Sequence, residues 1–171
     1  LLSKKKDNYI YILEDDIDES RRTKRLERGR NKILDTIRNI NSDNLYQYFI
    51  NMDLDDVNYD GTFIETIETC FIEDVDKWDA LFANQKNNYY DIWALRKEKF
   101  FNEDFALGEE RNRILDDMPN LPEGKFISVN SAFGGTSIYK LSSIPTQCKY
   151  VGSYPSEHEK CEHVEFNECI K

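Results

Sequence analysis

The sequence predicts an α/β fold with a mostly parallel central sheet, and three segments carry that prediction. Residues 9–13 and 46–53 are short runs rich in apolar, β-forming residues, which predicts two buried strands. Between them, apolar residues recur at helical spacing and predict a helix over residues 23–39. A strand, a helix and a strand at this separation form a right-handed βαβ unit, so we expect the two strands to lie parallel.

The rest of the chain predicts a series of shorter elements. In chain order these are an amphipathic helix within 60–74, strands at 78–82 and 90–96, a charged stretch at 102–118, a turn at Pro119, Pro122 and Gly124, a strand at 126–129, a Gly-Gly corner leading into a strand at 133–139, and a helix start at 161–166. The sequence contains no internal repeat, and its 171 residues suit a single domain over residues 1–171.

Composition excludes several classes of protein. A net charge of −10 argues against a general nucleic-acid binder, whose affinity depends on phosphate contacts. No run of 18 apolar residues exists, so we expect no membrane span. The chain begins with Leu-Leu-Ser, without a signal peptide or an initiator Met, and we expect a fragment or a processed product.

The four cysteines are too sparse for a disulfide scaffold, which favours a reducing compartment and a cytoplasmic location. Zinc is a weaker interpretation of the cysteines. Near the end of the chain, two cysteines and two histidines lie close in sequence, but their spacing fits no standard zinc pattern; they are Cys161, Cys169, His158 and His163.

Acidic residues follow both predicted strands of the βαβ unit. Asp53, Asp55 and Asp56 come directly at the end of the second strand, and residues 14–16 are Glu-Asp-Asp after the first. Acids clustered at a buried strand end repel one another unless a cation sits among them, and this edge of an open α/β sheet is where ligands bind. We therefore expect Mg²⁺ or Mn²⁺ carrying a phosphorylated substrate, because both ions prefer oxygen ligands. A solvated acidic turn is the alternative.

Basic and glycine residues supply further candidates. Arg30 could bind phosphate through its planar fork, whereas Arg25 and Arg28 are interpreted as part of a solvated basic helix face. Gly134 and Gly135 permit a close backbone approach to a ligand, or form an ordinary tight turn.

Three more candidates come from the second half of the chain. Asp91 lies next to Trp93 in Tyr-Asp-Ile-Trp, a combination that suits sugar recognition, although Trp93 could equally pack in the core. His163 could ligate a metal and Glu162 could act as a general base, or both could be surface residues.

Taken in order, these motifs resemble the GT-A glycosyltransferases that use nucleotide sugars. The likeness covers residues 9–166 and includes Arg-Asn at Arg30 and Asn31, Phe-Ile-Asn-Met-Asp-Leu-Asp-Asp ending at Asp56, and the segments at 90–96, 133–139 and 161–166. More narrowly, the chain is similar to the fungal capsular α-1,3-mannosyltransferase family and to glycosyltransferase domains of large DNA viruses of algae and protists. A viral protein would work in the host cytoplasm. The spacing Arg21, Arg25, Arg30 departs by one residue from that family's arginine pattern.

The resemblance implies a Rossmann-like three-layer α/β/α sandwich and a metal-dependent transfer of a sugar from a UDP- or GDP-sugar to a glycan or glycoprotein. It implies Asp53, Asp55 and His163 as ligands of Mn²⁺ or Mg²⁺. Donor binding would involve six residues: Arg30, Asn31, Asp53, Asp56, Gly134 and Gly135. It implies catalytic roles for Glu162 and Asp91, the first as base in an inverting reaction.

Almost nothing precedes residue 9, where many GT-A enzymes have a further strand, so either that strand is missing or residues 9–13 take its place.

Two other functions stay open. A haloacid-dehalogenase-type phosphatase also begins with a strand and Asp-x-Asp, with Asp53 as its nucleophile. A non-catalytic domain that only binds sugar nucleotides is the second.

Overall fold

A computed structural model describes residues 5–6, 9–10, 19–54, 63–71, 75–84, 91–97, 126–153 and 160–170. It contains five strands, β1 (Lys5–Lys6), β2 (Tyr9–Ile10), β3 (Tyr48–Met52), β4 (Ala80–Phe82) and β5 (Thr136–Lys140), and three α-helices, α1 (Arg22–Ile40), α2 (Phe63–Thr69) and α3 (His163–Cys169), in this part of the chain.

The long helix α1 confirms the prediction for residues 23–39 to within one residue at either end. Its apolar stripe turns Leu34 into the core, where only 2% of that residue is exposed. The helix stops at Asn41, whose N–H donates to the carbonyl of Ile37. The Asn41 side chain then bonds the backbone of Tyr46 in both directions, at 2.7 and 3.0 Å, and so directs the chain into β3.

Three strands form the central sheet in the order β3-β5-β4, and both pairings are antiparallel. The predicted strands at 46–53, 78–82 and after the Gly-Gly corner are all present. Every strand pair in the described residues is antiparallel, including β1 with β2. The mostly parallel sheet and the three-layer sandwich therefore stay predictions, since residues 11–18 of the expected βαβ unit lie outside the described residues.

A buried cluster joins β5, α1 and α3, and Phe49 of β3 packs against it. Phe49 of β3 stacks on Tyr139 of β5 with ring centroids 4.8 Å apart. Tyr139 in turn meets Phe166 of α3 edge-on at 5.3 Å, and Phe166 stacks on Tyr150 at 4.2 Å. This aromatic stack joins the sheet to α3, and it thereby fixes where the start of α3 lies.

Two predicted strands are wrong. Residues 92–94 form a 3-10 turn instead of part of a strand, because the Asp91 carboxylate accepts a hydrogen bond from Ala94 N at 3.3 Å and caps the turn. Only the end of that segment pairs, through an isolated bridge between Arg96 and Ser131. Residues 126–129 form no strand.

The helices predicted within 60–74 and from 161 onward are confirmed as α2 and α3. The stretch at 102–118 and the turn at Pro119, Pro122 and Gly124 lie outside the described residues.

A disulfide joins Cys148 to Cys169 at the end of α3, with Cα atoms 5.6 Å apart. The expectation of reduced cysteines is wrong for this pair, because the fold brings two cysteines 21 positions apart into contact, which their spacing could not reveal. The bond also removes Cys169 from the zinc set. Among the described helices, none combines the length and the apolar character needed to cross a membrane.

Candidate functional site

Residues from four separate segments meet at the end of β3. Arg30 comes from α1, Asp53 follows β3, Gly135 precedes β5, and Glu162 and His163 lie at the start of α3. The backbone N–H of Asp53 donates to the carbonyl of Gly135 at 3.0 Å, which ties the acidic segment to the Gly-Gly corner.

Arg30 lies at the centre of this site. Its Nε donates to Glu162 Oε1 at 2.9 Å, and its Nη2 donates to Asp53 Oδ1 at 3.3 Å. The guanidinium carbon lies 5.0 Å from the Phe133 ring centroid and 5.9 Å from that of Tyr150, within cation–π range. Burial by itself would lower the pKa of Arg30. The charges of Glu162, Tyr150 and Asp53, in decreasing order of effect, outweigh burial and raise that pKa. Arg30 is therefore a permanent cation held between two acids.

The two acids differ in their exposure to solvent. The Glu162 side chain is 3% exposed, whereas that of Asp53 is 28% exposed. Glu162 is thus a buried carboxylate whose charge is balanced by Arg30, and Asp53 is the acid that a ligand can reach from solvent.

Asp91 is the third acid of the site, and burial raises its pKa to about 6. The hydrogen bond from Ala94 N acts in the opposite direction, while the negative charges of Glu162 and Asp53 raise the pKa further. Asp91 can therefore hold or release a proton close to neutral pH, as a general acid or base must.

His163 is buried against Phe133, with ring centroids 4.0 Å apart, and is 1% exposed. Within the described residues neither of its ring nitrogens has a hydrogen-bond partner, and Nε2 lies 3.7 Å from Glu162 Oε1. Burial, then the charge of Arg30, holds the pKa of His163 well below its usual range, so the ring is neutral. A neutral imidazole with an unsatisfied nitrogen is the form that binds a metal.

The expected metal site stays a prediction. No three His, Cys, Asp or Glu side chains among the residues that the structure describes gather closely enough to hold an ion. Asp55, predicted as a metal ligand, and Asp56, predicted to bind the donor, lie outside the described residues, as do residues 14–16 and His158. The unsatisfied nitrogens of His163 fit a metal ligand.

The backbone conformation and close packing of the Gly-Gly corner favour glycine at both positions. Gly134 and Gly135 have φ of 63° and 80°, and a Cβ on Gly134 would collide with the backbone carbonyl of Ala83 after β4. The corner therefore packs closely against β4 while Gly135 holds Asp53.

The Asn31 side chain makes hydrogen bonds to the backbone of Tyr150. Its amide nitrogen donates to Tyr150 O and its oxygen accepts from Tyr150 N, both at 2.8 Å. This pairing fixes the segment whose ring lies beside Arg30.

Arg25 also bonds to the protein backbone, since it donates to the carbonyls of Glu19 and Ser20, in keeping with a role on the helix surface. Trp93 packs against a buried cluster that includes Phe133.

Sequence reasoning missed Phe133 and Tyr150, the two rings beside Arg30. Phe133 stands directly before the Gly-Gly corner, so an aromatic residue next to a flexible turn was an available signal. Tyr150 had none, because it reaches the site through the stack on Phe166 and the pairing with Asn31.

Comparisons with protein-family models, with curated proteins and with solved structures find no match to this chain. Any function therefore has to be argued from the site itself and from the sequence motifs.

Proposed function

We propose that the chain is a metal-dependent glycosyltransferase that moves a sugar from a nucleoside diphosphate sugar to a glycan or glycoprotein acceptor. One observation carries the proposal: a largely buried arginine bridges Asp53 and Glu162 at the end of β3, next to a glycine corner and to an acid whose pKa is raised to about 6. The likeness of the motifs to GT-A enzymes supports the same assignment.

Transfer of a sugar leaves negative charge on the departing diphosphate, and that charge needs fixed cations. Arg30 is positively charged at every working pH and is already oriented by its contacts with Glu162 and Phe133. A guanidinium fixed in this way stabilises developing charge without reorganising during the reaction.

A divalent cation would supply the second charge, by binding the diphosphate as a Lewis acid. In our proposal Asp53, Asp55 and His163 would hold it, in agreement with the solvent-accessible carboxylate of Asp53 and the unsatisfied nitrogens of His163. Asp56 would support this group of residues.

Two acids could act on the acceptor hydroxyl in an inverting reaction. Glu162 accepts the Arg30 Nε hydrogen bond and is nearly inaccessible, which argues against its use as a base. Asp91, whose pKa burial raises to about 6, is the better candidate. In a retaining reaction neither acid is needed as a base.

The test is a screen of UDP-, GDP- and dTDP-sugars with Mn²⁺ by thermal shift, followed by an assay for nucleotide release. A sugar nucleotide that binds only the folded chain raises its melting temperature, and the stabilisation grows with the logarithm of ligand concentration once that exceeds Kd. We expect stabilisation by one class of donor together with slow, Mn²⁺-dependent hydrolysis, and loss of the hydrolysis in Asp55→Ala.

The control is Asp43→Ala, which removes an exposed acid from the turn after α1 and should leave hydrolysis unchanged. Undiminished turnover in Asp55→Ala would contradict the metal assignment. Release of phosphate from a simple phosphomonoester would favour the phosphatase, and binding without turnover over long incubation would favour a non-catalytic domain.

A further inference from the structure

The two contacts of Arg30 are unequal. The bond from Nε to Glu162 is 2.9 Å long and joins side chains that are 12% and 3% exposed. The contact from Nη2 to Asp53 is 3.3 Å long, and its carboxylate is 28% exposed. The first is a short bond in a dry environment, where it is strong, whereas the second is longer and borders solvent.

The aromatic rings also hold Arg30 on the Glu162 side. Phe133 stacks on His163, the residue after Glu162, and Arg30 lies over the same Phe133 ring. The second ring belongs to Tyr150, whose backbone is held by two hydrogen bonds to the Asn31 side chain. We therefore expect the guanidinium to stay in place when its contact with Asp53 is lost.

A divalent cation cannot share Asp53 with Arg30 without cost, because two cations on one carboxylate repel each other. We propose that Arg30 is an exchangeable internal cation. Glu162 anchors it through Nε, and the Nη2 contact with Asp53 opens when a divalent cation takes that carboxylate and a diphosphate oxygen takes the guanidinium. Glu162 is then a positioning residue that acts through Arg30, and the choice of diphosphate as the anion rests on the proposed function.

This role predicts a change in anion affinity opposite in direction to the change expected from charge alone. Removing a negative charge beside an anion site should strengthen anion binding. If Glu162 instead positions Arg30, Glu162→Gln should weaken the binding of inorganic pyrophosphate by about tenfold, since a charged hydrogen bond no longer fixes the guanidinium. In an Arg30→Gln background, where nothing is left to position, the same substitution should leave pyrophosphate binding unchanged or make it tighter.

The measurement is isothermal titration calorimetry of the full chain with pyrophosphate alone and, separately, with Mn²⁺ alone. Arg30→Gln should weaken pyrophosphate binding and tighten Mn²⁺ binding, because it removes the cation that competes for Asp53. The control is Glu165→Gln, on the same helix, where Glu165 pairs with Lys160 and is 31% exposed. It should change either affinity by less than about twofold.

Three outcomes would overturn the inference: tighter pyrophosphate binding in Glu162→Gln, equal weakening in both backgrounds, or weaker Mn²⁺ binding in Arg30→Gln. If Glu162→Gln does not fold, Glu162→Asp carries the same test, since it keeps the charge but withdraws the carboxylate from Nε by one methylene. Neither titration involves a sugar nucleotide. The expected pattern without any donor turnover would therefore contradict the proposed function and leave the inference standing.

Discussion

The two ends of α3 differ in how well their buried polar side chains are hydrogen-bonded. At its far end Asn167 accepts from the Tyr139 hydroxyl at 2.9 Å and donates to Ser131 and Ala132 at 3.0 and 2.8 Å. At its start, His163 is equally buried, yet in the described residues neither ring nitrogen has a hydrogen-bond partner. One helix of seven residues thus has a fully bonded end and an end with unsatisfied polar groups.

We interpret this contrast as the difference between a structural end of the helix and a candidate ligand-binding end. Buried polar groups are normally hydrogen-bonded, and an unsatisfied one costs free energy. The disulfide and Asn167 lie at the bonded end, while Arg30, Glu162 and His163 lie at the other. We therefore expect substitutions at the far end to affect folding alone, and substitutions at the start to affect ligand binding as well.

The largest effect is expected from Arg30→Met, which removes the cation and leaves Glu162 as an uncompensated buried charge. Breaking one partner from a buried ion pair costs about 3–5 kcal/mol of unfolding free energy. Chemical denaturation measures that loss, and Lys160→Met, which breaks the part-exposed pair with Glu165, should cost no more than about 1 kcal/mol. Similar losses for both variants would contradict the picture of Arg30 as a buried counter-ion.

Removal of the disulfide is expected to have the next largest effect. Cys148→Ser opens a loop closed over 21 positions, and the loss of that constraint on the unfolded chain costs about 3 kcal/mol. Reduction by dithiothreitol should lower the melting temperature of the wild type and leave that of Cys148→Ser unchanged. Because the bond lies at the bonded end of α3, pyrophosphate affinity at a temperature where both proteins are folded should not change. A drop in that affinity would show that the two ends of the helix are coupled.

A matched pair of substitutions then compares the two ends directly. Asn167→Leu leaves the Tyr139 hydroxyl and Ser131 without their partner and should cost about 1–3 kcal/mol. His163→Phe keeps a ring on Phe133 and removes two unsatisfied nitrogens, so it should be neutral or stabilising by about 1 kcal/mol. The same His163 variant should lose Mn²⁺ binding, which Asn167→Leu should keep. Destabilisation by His163→Phe would mean that its nitrogens are bonded in solution.

The sequence allowed local elements and chemically unusual residues to be predicted, and it failed where partners are distant. Helix α1 follows from apolar spacing alone, and Asp53 from its place at a strand end. The strand predicted at 90–96 failed because a single side chain, Asp91, caps a turn against the local alternation. The Cys148–Cys169 bond and the placement of Tyr150 depend on the packing of α3, which no local pattern encodes. Arg30 was expected to bind a ligand. Its bridge between Asp53 and Glu162 could not be predicted from a local pattern, because these two acids lie 23 and 132 positions further along the chain.

The most gradual expected effect, spread over about two pH units, concerns Asp91, whose pKa responds to burial and to the charge of Glu162 at the start of α3, and it should make stability depend on pH. Burial raises its pKa to about 6 in the folded chain, against about 3.9 for an unfolded chain, so between these values the folded state holds a proton that the unfolded state has released. The free energy of unfolding should then fall as pH rises from about 4 to 6, by at most about 1.4 kcal/mol per pH unit, and level off above. Asp91→Asn keeps the cap on Ala94 but cannot titrate, so the difference between the two stability curves isolates this residue. Identical curves would mean that folding leaves the pKa of Asp91 unchanged, which would remove the support for Asp91 as a base tuned to neutral pH.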